Sequence, residues 1–145
     1  MLLAPYRVLD LTQSQGVLCA QILGDLGAGV IQIEPPGGAP GRHLAPFLHN
    51  REDPENSLYW WGYARGKRSI ELDIEADADT FMHLVERTDF LIEAEPVGSL
   101  AARGFGYSAL AARDPRPTGR PRISQWSQAR APWPLPATKI ARRCA

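Results

Sequence analysis

Three cations, Arg65, Lys67 and Arg68, stand directly before the alternating stretch Ser69–Ile74. Arginine grips phosphate through two parallel N–H bonds, and lysine acts as a point charge. The cluster therefore suits a clamp on a polyphosphate, with a solvated turn as the plainer alternative. Arg42, behind a glycine-rich loop, and Arg103, before Gly104, are further candidates for the same clamp. A second anion-binding feature lies upstream. Gly16 follows an apolar strand-like run and opens a helical pattern. A helix that starts beside a strand's carboxyl end presents unbonded N–H groups that favour phosphate. Glu34 ends the next strand-like run, where a dinucleotide fold would place an acid against a ribose hydroxyl. Gly16 has no companion glycines in a G-x-G-x-x-G pattern, so a nicotinamide-type fingerprint is absent.

Other chemistries find little support. His43, His49 and His83 are scattered, and no Cys/His spacing suits zinc, so no metal site is expected. No serine stands in a nucleophile-elbow context. No residue of the chain is assigned a catalytic role.

The elements that must position these residues alternate between strands and helices. Arg7–Leu11 reads as a short buried strand ended by polar residues and glycine. Gly16–Leu26 reads as a helix whose apolar face is Leu18, Ile22 and Leu26, with Leu23 beside them. Gly27 suits its C-cap. Val30–Ile33 is the second strand, stopped by Pro35-Pro36-Gly37-Gly38, and a long polar loop runs on to about Leu58. Leu58–Tyr63 is an aromatic cluster, to be read as core or interface packing or as a stacking surface for a base. In Ser69–Ile74, Ile70, Leu72 and Ile74 alternate with polar residues, as in a half-buried strand. Glu75–Thr88 follows as a helix with Phe81, Leu84 and Val85 inward, then Phe90–Ile92 as a strand and two short helical pieces, Leu100–Arg103 and Ser108–Ala112. This alternation predicts an α/β fold, a Rossmann-like and mainly parallel sheet flanked by helices.

Composition sets the bounds. One domain is the default for 145 residues, and a 44% apolar fraction supports a real core. No apolar run is long enough for a membrane span, and Met1–Pro5 does not read as a signal peptide. Two cysteines, Cys19 and Cys144, are too few for a disulfide framework, and a cytoplasmic setting fits. The zero net charge hides an asymmetry. All 16 acids lie in residues 1–114 with 9 Lys or Arg, whereas residues 115–145 carry 7 Lys or Arg and no acid. That basic, proline-rich tail breaks the pattern after Asp114. The expected division is a partial α/β domain over 1–114 and an irregular tail over 115–145, with a turn of helix within Ala137–Ala145. The change is too abrupt to indicate a nucleic-acid partner.

Taken in order, the motifs resemble the N-terminal part of the class III CoA-transferases, a family that includes carnitine and formyl-CoA transferases and the α-methylacyl-CoA racemases. The resemblance rests on Val8-Leu9-Asp10-Leu11, Leu23-Gly24-Asp25-Leu26-Gly27-Ala28, Val30–Gly38, Gly66–Asp73 and Gly104-Phe105-Gly106-Tyr107. It implies a CoA-binding domain in an interlocked homodimer, CoA or acyl-CoA as substrate, no permanently bound cofactor, and transfer to a carboxylic acid through an aspartate that forms a mixed anhydride. By position, Gln15 and Gly16 would lie at the CoA entrance, Glu34 to Pro36 near the adenosine, and Lys67 or Arg68, with Arg103, at the phosphates. Glu93–Gly98 lacks the asparagine common in the family's turn after the fourth strand. Ile123–Gln128 is a faint echo of a later Ser-x-x-Gly-Gln segment, and no counterpart of the nucleophilic aspartate is present. The expectation is a truncated, inactive transferase whose tail is partly frame-shifted; the alternative is a stand-alone CoA- or nucleotide-binding module without catalysis.

Overall fold

Strand β1 (Arg7–Asp10) occupies the middle of a sheet, between β2 (Gly29–Glu34) and β4 (Phe90–Glu93), and β3 (Arg68–Glu71) flanks β2. All of these neighbours run parallel. The computed structural model describes residues 1–14, 16–113 and 139–142. Lys139–Arg142 forms β5, antiparallel to β4, so the order is β3-β2-β1-β4-β5. The turn of helix expected in 137–145 is corrected there: the outer edge of β4 offers unpaired backbone groups that an extended segment can meet. Gln15 and the Ile123–Gln128 echo lie outside the described residues.

Side-chain alternation splits the sheet into two faces. On one, Val8, Val30 and Ile92 pack with Ala20 of α1 (Val17–Asp25). On the other, Leu9, Ile33 and Leu91 join Phe81 and Val85 of α3 (Ala78–Glu86) and Leu110 of α4 (Tyr107–Ala112). Helices cover both faces of a parallel sheet, as its buried strands require. The Rossmann-like α/β expectation holds.

Two local features depart from the sequence reading. Helix α1 ends as expected at Gly27, with φ 107°, where Gly27 N–H bonds Gly24 O and Ala28 N–H bonds Leu23 O, a Schellman pair. Its inward stripe is different. Leu18, Ile22 and Leu26 are 51%, 49% and 40% exposed, whereas Val17, Ala20 and Gln21 are buried. A Cβ on Gly24 would stand 3.4 Å from Val30. The helix thus sits close to the sheet on its small residues, and the four-residue leucine spacing marks the outer face.

The long loop is the second departure. It contains 3-10 turns at Pro40–His43 and Leu48–Asn50 and closes on Ser57. The Ser57 hydroxyl lies 2.6 Å from Leu44 O and 3.0 Å from Gly41 O, and it accepts the Trp60 N–H. Ser57 thereby caps α2 (Leu58–Ala64), which carries the aromatic cluster. Trp60 is buried and Trp61 is 47% exposed. Helix α3 is shorter than expected, with Phe81 and Val85 buried and Leu84 only partly so.

Candidate functional site

The carboxyl ends of β1 to β4 converge on one cavity of about 300 Å³. Leu11 and Gln13 come from the turn after β1, Ile33, Pro35 and Pro36 from the end of β2, Leu72 to Ile74 from the end of β3, and Glu95 and Arg103 from beyond β4. The crossover from β1 to β2 uses α1 on one face, and that from β3 to β4 uses α3 on the other. The chain therefore departs from β1 and β4 in opposite senses, a switch point of the kind where α/β sheets hold ligands.

Two buried polar atoms in this cavity lack a hydrogen-bond partner among the described residues: the Gln13 Oε1 acceptor and the Arg103 Nε donor. The Gln13 amide is oriented by its other end, since Nε2 donates to Ile33 O at 3.0 Å and Leu11 O at 3.3 Å. Flipping the amide would set oxygen against two carbonyls. Arg103 is ion-paired with Glu95 and stands 3.7 Å from Glu75. Asp73, also at the cavity, spends Oδ1 on the N–H groups of Glu75 and Ala76. Buried polar atoms without partners are uncommon in folded proteins and ask for an explanation. Both atoms belong to side chains that line the cavity. Gln13 escaped the sequence reading; its position just past the end of β1 at the switch point is the signal that would have found it.

The other expected site residues are distributed as follows. Pro35 and Arg103 meet in the cavity. Gly16 precedes α1 with φ 84°, and a Cβ there would stand 3.1 Å from Thr12 and 3.3 Å from Ala94. Only glycine suits this conformation at so close an approach. Arg68 is exposed on edge strand β3.

Glu34 is buried, and Arg42 binds both of its oxygens, at 2.6 and 2.8 Å, while the Ala39 N–H adds a bond at 2.8 Å. Burial alone would raise its pKa, but the Arg42 fork and the Ala39 N–H outweigh it and hold the carboxyl below the usual range. The same pairing raises Arg42. Glu34 thus fastens the following loop to the end of β2.

Lys67 is also engaged elsewhere. Its side chain is 2% exposed, and Nζ donates to Asp10 Oδ2 at 2.9 Å, Val17 O at 3.2 Å and Gln32 Oε1 at 3.3 Å. These partners belong to the α1 side of the sheet, away from Arg103. Cys19 lies nearby, its thiol pushed up by burial and by the charge of Asp10. A second, more open cleft of about 460 Å³ is lined by Arg42, Trp60, Trp61 and Arg65, among others. Its three cations among the described residues already have partners: Arg42 holds Glu34 and Glu55, Arg65 holds Asp25, and Lys67, which also lines this cleft, holds Asp10.

Among the described residues no cluster of His, Cys, Asp and Glu could hold a metal, and no helix is long and apolar enough to cross a membrane.

A parallel sheet covered by helices on both faces, with a cavity at its switch point, defines a Rossmann-like α/β domain. Residues 3–116 match the family described as CoA-transferase family III, and the chain belongs to that family. It is 39% identical over 112 residues to a succinyl-CoA:mesaconate CoA-transferase of Haloarcula hispanica, covering 75% of this chain and 28% of that protein. It is 39% identical over 113 residues to an acetyl-CoA:oxalate CoA-transferase of Acetobacter aceti, again covering 75% and 28%. Among solved structures, a CAIB/BAIF family protein from Brucella suis superposes with a TM-score of 0.66 at 31% identity, over 77% of this chain and 30% of that one. The chain thus spans less than a third of the length of these relatives.

Proposed function

We propose that this chain supplies the CoA-binding part of a CoA-transferase, an enzyme that moves CoA between an acyl-CoA and a carboxylic acid. Gln13 Oε1 and Arg103 Nε carry this reading, as a buried acceptor and donor without partners among the described residues, on side chains that line a cavity walled by Pro35, Leu72 and Ile74. Arg103 suits a phosphate of the coenzyme, and the apolar walls suit its adenosine. The turn at Gln15 and Gly16 is the proposed entrance, with Arg68 as an outer phosphate contact. CoA enters as a substrate and not as a resident cofactor. The reading extends to a cytoplasmic setting and to assembly as a homodimer, for which the exposed Leu18, Ile22 and Leu26 offer an apolar surface.

A second reading, a binding module without catalysis, is favoured by the two acids at the cavity. Asp73 Oδ1 accepts two backbone N–H groups and Glu95 is ion-paired with Arg103, so structural contacts account for both acids. Both readings give CoA binding by these 145 residues and no acyl exchange. Calorimetric titration with CoA, dephospho-CoA and NAD tests the binding, and exchange between a CoA thioester and a labelled carboxylic acid tests the chemistry. Tight NAD binding without CoA binding would refute both readings. Exchange that disappears when Asp73 or Glu95 is replaced would refute the second.

A further inference from the structure

We infer that Lys67 is a positioning residue: it fixes the Thr12–Gln13 turn at the cavity through Asp10 and Gln32 and makes no contact with the ligand. The inference rests on the CoA reading only for the identity of the ligand.

An ammonium group has three N–H donors. Those of Lys67 go to Asp10, Gln32 and the Val17 carbonyl, so none remains for a phosphate. The two side-chain partners face each other in register on adjacent parallel strands, Asp10 against Gln32. Each also holds Thr12. Asp10 Oδ1 accepts the Thr12 N–H at 2.9 Å and its hydroxyl at 2.6 Å, and Gln32 Nε2 donates to Thr12 O at 3.0 Å. Every polar group of Thr12 is thus bound by a residue that Lys67 orients.

The next residue is Gln13, whose amide turns to the opposite side of the sheet and lines the cavity. At the far end of the same turn, Lys67 holds Val17 O, the first residue of α1. Lys67 is itself placed by the turn after α2, where its N–H bonds Ala64 O and Gly66 adopts φ 73°. Removing the ammonium leaves a buried carboxylate without its counter-charge, a costly state. Asp10 and Gln32 would then be released to other rotamers, and Thr12 with them.

The test compares wild type, Lys67→Met and the double variant Asp10→Asn with Lys67→Met, which removes the stranded charge if the single variant fails to fold. Amide exchange without ligand should rise about tenfold or more at Thr12, Gln13 and the first turn of α1 and stay unchanged in α3. Below the melting transition, affinity for CoA and for adenosine should fall by one common factor, roughly 5- to 30-fold, with an unchanged salt dependence for CoA. A loss confined to phosphate-bearing ligands, with a weaker salt dependence, would show direct phosphate contact and overturn the inference. So would unchanged exchange, or altered exchange with unaltered affinity, which is what a purely structural strut gives. If wild type binds neither CoA nor adenosine, the CoA reading fails, and the exchange pattern still decides whether Lys67 holds the turn.

Discussion

Arg42 stands over the Trp60 ring, its guanidinium carbon 4.4 Å from the ring centroid, while gripping both oxygens of Glu34. One side chain thus joins the end of β2, the loop after it and the start of α2. Arg42→Ala should cost roughly 2–4 kcal/mol, because it strands a buried carboxylate and uncovers an indole face. Arg42→Lys should recover less than half, since an ammonium cannot form the two-pronged contact. Urea unfolding midpoints of the two variants, at unchanged slope, would check both statements.

Glu34 also predicts an acid sensitivity. Its folded-state pKa lies below its ordinary value of 4.5, so its ionised form contributes stability above that value. That contribution is lost as pH falls from about 4.5 through the lowered folded pKa. Thermal melts from pH 7 down to pH 3 should show a steeper loss for wild type than for Glu34→Gln below about pH 4.5, the ordinary carboxyl range. Parallel curves would contradict it.

Gly16→Ala should destabilise the fold by about 1–3 kcal/mol, combining a left-handed backbone with a crowded Cβ. Gly37 shares the positive φ but has open space around it, so Gly37→Ala should cost less. Equal losses at the two positions would show that crowding by Thr12 and Ala94 contributes nothing.

Arg103→Ala should weaken CoA binding by roughly 10- to 150-fold, the equivalent of a charge-assisted bond worth about 1.5–3 kcal/mol. Stability should change far less, since its pairing with Glu95 is part-exposed. Calorimetry beside a thermal melt separates the two effects.

Helix α1 makes a further discrimination possible. Ile22→Gln should shift stability by no more than about 0.5 kcal/mol, as at other exposed positions. Ala20→Leu should cost about 1–3 kcal/mol by overfilling the close contact with the sheet. The reverse ranking would place the leucine stripe inside.

Much of this was legible in the sequence because it is written locally. The strand β2 and the stop at Gly27 follow from apolar runs and punctuation within a few residues. The facing of α1 was not, because two stripes compete and the small one wins on closeness of approach. Nor was the fate of the charged residues. Lys67 meets Asp10 across 57 positions, a contact that exists only once the register Asp10–Gln32 is set. Arg42 and Glu34 are eight apart across a loop whose path no periodicity reveals. The cations nearest in sequence, Arg65, Lys67 and Arg68, were read as one cluster, yet the fold sends Lys67 inward and leaves the other two at the surface.

The cavity's four walls come from four separate turns, each at the end of a strand whose own pairing lies behind it. A change in one turn, such as Pro35-Pro36 or Asp73-Ile74, alters a single wall and leaves the sheet's hydrogen bonds untouched. The shape of the cavity can therefore drift one wall at a time, by steps small enough to keep the protein folded throughout. Over generations, such a cavity can be reshaped while its frame stays the same.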